Sequence, residues 1–146
     1  MSVVSNARVS NTRHSRNGGV PYAIERWQDT DILVVRGSGD ITASDNDAMS
    51  RALETACETR PSRAVILDLT AVDYVPSAGE ARNLAKSFAR LAKPRQCLMA
   101  IVAESGAQYG VARMIETLSS MDDVTTAAFI SMDEAVAWMQ LGVREE

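Results

Sequence analysis

The chain has 146 residues, of which 46% are hydrophobic and 23% charged, as expected for one globular domain with its own core. Its net charge of −4 is uneven: residues 1–20 hold three of the 15 basic residues and no acid, which leaves 12 against 19 acids, or −7. The acidic net charge of residues 21–146 argues against a nucleic-acid-binding surface. No apolar run approaches the roughly 20 residues that span a membrane, and the first residues lack the apolar core of a secretory signal. We therefore expect a cytoplasmic protein with no membrane segment.

The first 20 residues are rich in serine, asparagine, arginine and glycine and have no sustained apolar periodicity. This composition predicts a disordered N-terminal arm, because it offers too little apolar surface to offset the entropy lost on folding. Mitochondrial presequences also start with arginines and no acids, but Val3, Val4 and Ala7 make a weak apolar face, so a flexible arm is favoured. We expect the folded domain over residues 21–142 and a C-terminal tail over residues 143–146.

Two strand patterns open the folded part of the chain. Residues 22–27 alternate between apolar and polar side chains, and residues 32–37 are mostly apolar after a polar turn, which predicts an antiparallel hairpin. From residue 41 the apolar positions change to helical spacing, and Thr42 or Ser44 is the expected N-cap. The apolar stripe of this first helix consists of Ala48, Met49, Ala52, Leu53 and Ala56.

A strand and a helix form the centre of the sequence. Residues 64–67 are an unbroken apolar run ending at Asp68, which predicts a strand covered on both faces, and residues 70–76 have the length of a loop. Ser77 to Glu80 have the S-x-x-E pattern of a capping box, which satisfies the free N–H groups at a helix start. Because open α/β sheets bind partners beyond the carboxyl ends of their strands, the loop between Asp68 and Ser77 is the expected functional edge. The core face of the helix consists of Ala81, Leu84, Phe88 and Leu91.

The rest of the chain repeats the alternation of strand and helix. Pro94 is expected to end the second helix, and residues 97–103 form a second fully apolar strand pattern. Capping-box patterns at residues 105–108 and 131–134 begin two further helices, on either side of a last strand over residues 124–130. The predicted order is ββαβαβαβα. It indicates an α/β fold with a mixed, largely parallel sheet, an antiparallel hairpin at one side and helices packed on it.

The residue types of catalytic and metal sites are scarce. The sole histidine, His14, lies in the arm, so a Ser-His-Asp arrangement is not expected. Cys57 and Cys97 have no histidine nearby, which predicts free, partly buried thiols rather than a zinc site. Asp68 and Asp73 could pair as carboxylates, but aspartates at strand ends and in loops more often bond to turn backbone. The sequence therefore predicts no enzyme, no metal and no cofactor.

Residues 66–79, ILDLTAVDYVPSAG, resemble the signature loop of STAS domains. In that family an apolar strand ends in Asp-Leu, and an apolar pair is followed by Asp-Ser-Ser/Thr-Gly at the start of a helix. The order ββαβαβαβα, with residues 39–41 leading into the first helix, is also similar, and the resemblance covers about residues 22–142. Residues 110–114 and 129–138 resemble the SpoIIAA-like branch that is grouped with STAS and SEC14 proteins. The resemblance implies a STAS/SpoIIAA-like fold.

The resemblance also implies a function. STAS domains include bacterial anti-sigma factor antagonists, which are non-enzymatic signalling modules that bind an anti-sigma factor or a kinase-like regulator through this loop and helix. A phosphate on a serine at this helix start switches binding off, because the helix N-terminus accommodates the phosphate while the added charge changes the docking surface. The residues expected to bind the partner are Asp73, Tyr74, Ser77, Ala78, Gly79, Arg82 and Lys86.

This sequence departs from the family pattern at the switch. The residue that is usually phosphorylated, just before the glycine, corresponds to Ala78, and the leading aspartate corresponds to Pro76. Ser77 is the remaining candidate for phosphorylation, although its role as helix cap already accounts for a serine there. The usual phosphoserine position is therefore lacking.

Two further features leave alternatives open. Arg82, Lys86 and Arg90 form a basic strip that suits an acidic partner, or that is simply a solvated helix face. The SEC14 relationship implies another class of function, a carrier of a small apolar or lipid-like ligand. Such a carrier needs an apolar cavity of several hundred Å³. A homodimer is also left open.

Overall fold

The computed structural model describes residues 22–27, 30–39, 43–60, 62–73, 75–104 and 106–144. The predicted arm of residues 1–20, the site residue Tyr74, the first residue of the second capping box (Ser105) and both alternative N-caps (Thr42 and the Ser44 side chain) lie outside the described part. In chain order the elements are β1 (Tyr22–Arg26), β2 (Ile32–Gly39), α1 (Ala43–Thr59), β3 (Ala64–Val72), α2 (Ala78–Arg95), β4 (Leu98–Val102), α3 (Gly106–Ser120), β5 (Thr126–Phe129) and α4 (Met132–Arg144).

The strands form one sheet whose spatial order, β1-β2-β3-β4-β5, equals their order in the chain. β1 pairs antiparallel with β2, whereas β2, β3, β4 and β5 are parallel to one another. The predicted element order, the hairpin and the largely parallel sheet are thus confirmed. Each β-α-β crossover moves one strand further in the same direction, and because such crossovers are right-handed, α1, α2 and α3 lie on one face.

The central strand β3 is buried on both faces, as its apolar run predicts. On one face its residues join the cluster under α1, α2 and α3, and on the other face they join a smaller cluster under α4. The first cluster includes Leu33, Val35, Val65, Leu67, Met99, Ile101, Leu53, Leu84, Phe88 and Ile115. The second includes Ile32, Val34, Ile66, Ala100, Val102, Ala135 and Met139.

β3 is longer than the sequence predicts, and this corrects the expected loop. The apolar run ends at Asp68, but the strand continues to Val72 because β2 also continues, and Gly39 pairs with Val72 after a register shift between Arg36 and Ser38. Asp68 is therefore a buried residue within the strand rather than its last residue. The loop before α2 shortens to residues 73–77.

The predicted end of α2 at Pro94 is nearly right, but the proline lies inside the helix. α2 runs to Arg95, and the left-handed residue Gln96 (φ 55°) ends it, with its backbone N–H directed at the carbonyls of Ala92 and Lys93. Pro94 cannot donate a hydrogen bond to the carbonyl of Arg90 and its ring crowds that carbonyl, and the helix ends one residue later. In the described residues no helix has both the length and the apolar character needed to cross a membrane.

Candidate functional site

The predicted capping box at the start of α2 is present. The Ser77 side chain accepts a hydrogen bond from the Glu80 backbone N–H at 3.2 Å, and the Glu80 carboxylate accepts one from the Ser77 N–H at 2.9 Å. Ser77 itself has extended backbone angles (φ −74°, ψ 170°), as an N-cap requires. The helix therefore begins at a fixed point just outside the carboxyl edge of the sheet.

The side chains around this helix start point into solvent. Val75 exposes 42% of its surface, and the predicted partner-binding residues that the structure describes are all exposed. We call this surface the α2 corner, and it consists of Asp73, Val75, Pro76, Ser77, Ala78, Gly79, Arg82 and Lys86. The structure thus brings the predicted site residues together, Tyr74 aside, because it lies outside the described part.

The base of the α2 corner is tied to its neighbours on both sides. The Asp73 backbone N–H donates to the Gly39 carbonyl at 2.9 Å, and Gly39 has φ 65°, a left-handed conformation that glycine adopts without strain. The Gln108 side-chain amide donates to the carbonyl of Val72. Gln108 is buried, and the sequence had assigned it to a capping box of α3. The two residues are 36 apart in the chain, so no local sequence pattern predicts this contact.

The basic strip on α2 divides between two environments. Arg90 lines a cleft of about 80 Å³ between α1 and α2, whose opposite wall includes the acidic residues Asp47 and Glu54. Arg82 and Lys86 lie on the same exposed strip, two turns and one turn nearer the start of α2 than Arg90. Because they are nearer the helix start, we assign these two cations to the α2 corner.

Two clefts bear on the predicted alternative of an apolar-ligand carrier. The α1–α2 cleft is lined mainly by polar and charged side chains. A second, open cleft of about 430 Å³ lies between α3 and β5, and of its six lining residues only Val124 is apolar. Neither is the enclosed apolar chamber that a lipid-like ligand needs. The geometry of these clefts does not support a carrier.

Asp68 and Asp73 do not form a carboxylate pair. Asp73 is exposed, whereas Asp68 is buried on the α4 face of the sheet, where its carboxylate accepts a bond from Arg36 at 2.7 Å. The same guanidinium contacts the buried Glu25 carboxylate at 2.5 Å. The other Asp68 oxygen accepts from the N–H and hydroxyl of Thr70, at 3.0 and 2.7 Å. We call Glu25, Arg36 and Asp68 the charged cluster, and its ion pairs link β1, β2 and β3.

Both cysteines are free and buried, which confirms the prediction of free thiols. The Cys97 thiol donates to the Ser62 carbonyl at 3.1 Å. Burial raises the pKa of Cys97 to about 11, and it also raises the pKa of Cys57. Because the thiolate is the reactive form, neither thiol is suited to nucleophilic chemistry at neutral pH. Among the residues that the structure describes, no group of three or more His, Cys, Asp or Glu side chains could hold a metal ion.

A family model for the STAS domain matches residues 23–130. The chain belongs to the STAS domain family. The matched range contains the whole sheet apart from the first residue of β1, together with α1, α2, α3 and the α2 corner. A search of the curated proteins finds no significant match.

Solved structures show the same STAS fold. The structure of the anti-sigma factor antagonist SpoIIAA in its unphosphorylated form is similar over 82% of this chain and 96% of that chain, with a TM-score of 0.62 and 13% sequence identity. An uncharacterised protein of the DUF3478 family from Shewanella loihica PV-4, with a SpoIIAA-like fold, is similar over 81% and 91% of the two chains, with a TM-score of 0.54 and 21% identity. The fold of this STAS domain is therefore SpoIIAA-like, as predicted.

Proposed function

We propose that this STAS domain is a non-enzymatic cytoplasmic signalling module that binds a protein partner through the α2 corner, as an anti-sigma factor antagonist-like protein. One observation carries the proposal: the start of α2 is held in place by its capping box and by contacts to β2 and α3, yet its outer side chains are exposed. A rigid, exposed surface binds a partner without the entropic cost of ordering itself first.

The charges of the α2 corner suggest an acidic partner. Arg82 and Lys86 are exposed one turn apart, and Val75 adds an apolar contact at the edge of the same surface. Charge complementarity chiefly increases the rate of association and the specificity, while apolar contacts at the centre supply affinity. A partner kinase or anti-sigma factor with carboxylates on one side of a small apolar patch fits this surface.

Lys86 and Lys93 offer a matched test of the docking surface. Both are exposed lysines on the same side of α2, seven residues apart, but only Lys86 belongs to the α2 corner. Affinity capture from cells of the source organism, followed by titration of the recovered partner, should give at least tenfold weaker binding for Lys86→Glu and little change for Lys93→Glu. Equal affinities of the two variants would contradict the proposed surface.

Ser77 is the candidate for a phosphate switch, because phosphate at a helix N-terminus is favoured by free N–H groups and by the helix dipole. Ser77→Asp keeps a good N-cap and adds charge, whereas Ser77→Ala removes the cap without adding charge. We expect Ser77→Asp to weaken partner binding while the free energy of unfolding is kept. If Ser77→Ala instead binds the partner more weakly than Ser77→Asp, so that affinity follows the free energy of unfolding, the serine acts only as a helix cap.

A further inference from the structure

β5 forms one edge of the sheet, and its backbone has hydrogen-bonding groups that face outward. Among the described strands it pairs only with β4. The Met99 N–H donates to the Thr125 carbonyl at 2.9 Å, and the Ala103 N–H donates to the Phe129 carbonyl at 3.0 Å. Residues 125, 127 and 129 therefore face β4. By the alternation of a strand, the N–H and C=O groups of residues 126 and 128 point away from the sheet.

The side chains of β5 do not protect this edge. The strand sequence is Thr-Ala-Ala-Phe, without a charge, a proline or a bulge, which are the usual devices that keep other strands from pairing. At the opposite edge, β1 carries Glu25 and Arg26 within the strand. Ile130, directly after β5, is 56% exposed. The β5 edge thus combines open backbone groups with an exposed apolar side chain.

A cleft of about 430 Å³ opens at the start of the same edge. Thr126 lines it, together with Glu116 and Asp123, and Thr126 is only 8% exposed. The Thr126 hydroxyl has no hydrogen-bond partner, although a buried hydroxyl normally has one. The cleft leaves room beside the start of β5 for the end of an added strand.

The charges around the edge specify the occupant. Residues 121–134 hold four acids and no basic residue. Asp122 and Asp123 precede β5, and Glu134 follows it. Glu134 lies on the same side of α4 as Trp138, whose ring centroid is 5.6 Å from that of Phe129. An antiparallel second copy centred on residue 128 would bring its acids beside these acids, which opposes self-association. Basic side chains at both ends of an added strand are complementary to them.

We propose that the β5 edge binds an extended peptide segment of a partner protein, with small or β-branched residues at its centre and lysine or arginine at both ends. Backbone bonds to residues 126 and 128 provide affinity, and the acids at each end provide specificity. This site is distinct from the α2 corner, so it stands or falls independently of the proposed function.

The test uses the full chain and a fluorescein-labelled probe peptide, Lys-Lys-Val-Thr-Val-Thr-Val-Lys-Lys. On binding, we expect amide hydrogen exchange at Thr126 and Ala128 to slow at least tenfold, while Ala127 and Phe129, whose N–H groups already face β4, change little. N-methylation of alternate valines in the peptide should abolish binding, and replacing the lysines by glutamates should weaken it at least tenfold. Unchanged exchange at Thr126 and Ala128 under saturating peptide would overturn the proposal.

A protein variant tests the same contact from the other side. Ala128→Pro removes an outward N–H, which an edge strand tolerates, and Ala128→Val is the control that enlarges the side chain but keeps the N–H. We expect about tenfold weaker peptide binding for the proline variant relative to the valine variant. Equal binding by both would contradict strand addition. Protection of Thr126 and Ala128 without peptide would also overturn the proposal: dependence on protein concentration would identify a second copy, and independence would identify a segment of the same chain.

Discussion

The two faces of the sheet bury their central residues in different ways. Under α1, α2 and α3 an apolar cluster extends across all five strands, from Ile24 on β1 to Ala128 at the margin on β5. On the other face α4 packs over β3, β4 and β5, and the charged cluster of Glu25, Arg36 and Asp68 lies across β1, β2 and β3. One helix is about 10 Å wide and cannot cover five strands spaced about 4.8 Å apart. Ion pairs, which tolerate water, occupy part of the area that a second helix would have covered.

The largest expected effect comes from removing an aromatic ring on each face. Phe88 is 2% exposed in the cluster under α1, α2 and α3, whereas Phe129 is half-buried on the α4 face and contacts Trp138. We expect Phe88→Ala to lower the free energy of unfolding by about 4 kcal/mol and Phe129→Ala by about half of that, because less surface is lost from a half-buried site. Urea denaturation measures both. A larger loss for Phe129→Ala would reverse the comparison of the two faces.

The charged cluster should cost less to break than the apolar core. Arg36→Ala leaves the buried carboxylates of Glu25 and Asp68 without their cation, and we expect a loss of about 2–3 kcal/mol. The loss is below that of a fully buried pair because 35% of the Arg36 side chain is exposed. The control is Arg82→Ala, an exposed arginine for which we expect a change within about 0.5 kcal/mol. Equal stability of the two variants would show that the cluster does not stabilise this face.

The apolar face predicts a dependence of stability on alkaline pH. The pKa of Cys97 is raised from 9.0 to about 11, so the thiol stays protonated in the folded state at pH values where it ionises in the unfolded state. Its contribution is complete below pH 9.0 and is lost as the pH rises towards 11. Between pH 8 and pH 10.5 we expect a fall in the free energy of unfolding of about 2 kcal/mol from this thiol. Cys97→Ala should show a correspondingly smaller fall, and an identical fall would assign it to other groups.

The smallest expected effect concerns the capping box, which belongs to neither face. Ser77→Ala removes the acceptor for the Glu80 N–H, and we expect a loss of about 1 kcal/mol in thermal or urea unfolding. Ser77→Asp retains an acceptor and should be within about 0.5 kcal/mol of the wild-type protein. A loss above 2 kcal/mol for Ser77→Ala would mean that the serine contributes more than a surface cap does.

The features that the sequence predicts correctly are those set by nearby residues. The Ser77–Glu80 capping box spans four residues, and the apolar run from Ala64 to Leu67 predicts the buried strand. Both features are found where the sequence pattern indicates them. The α2 corner follows from these two, because the loop between them must lie at the carboxyl edge of a parallel sheet.

The features that the sequence does not predict depend on residues that are distant in the chain. The sequence predicts that Asp68 ends a strand, because the apolar run stops there. In the structure, β2 brings Arg36, which is 32 residues earlier in the chain, into contact with Asp68. The contact of Gln108 with Val72 and the open backbone edge of β5 likewise follow from which strands and helices are neighbours. Periodicity identifies elements, but it does not specify the pairs that these elements bring into contact.

The equality of spatial and chain order in the sheet has a consequence for folding kinetics. Every pair of neighbouring strands is also consecutive in the chain, so no strand has to be inserted between two strands that are already paired. Short connections between paired strands lower the entropic cost of closing each loop, and domains with such local contacts fold faster than those with distant pairings. We therefore expect faster folding than in an α/β domain of the same length with a permuted strand order.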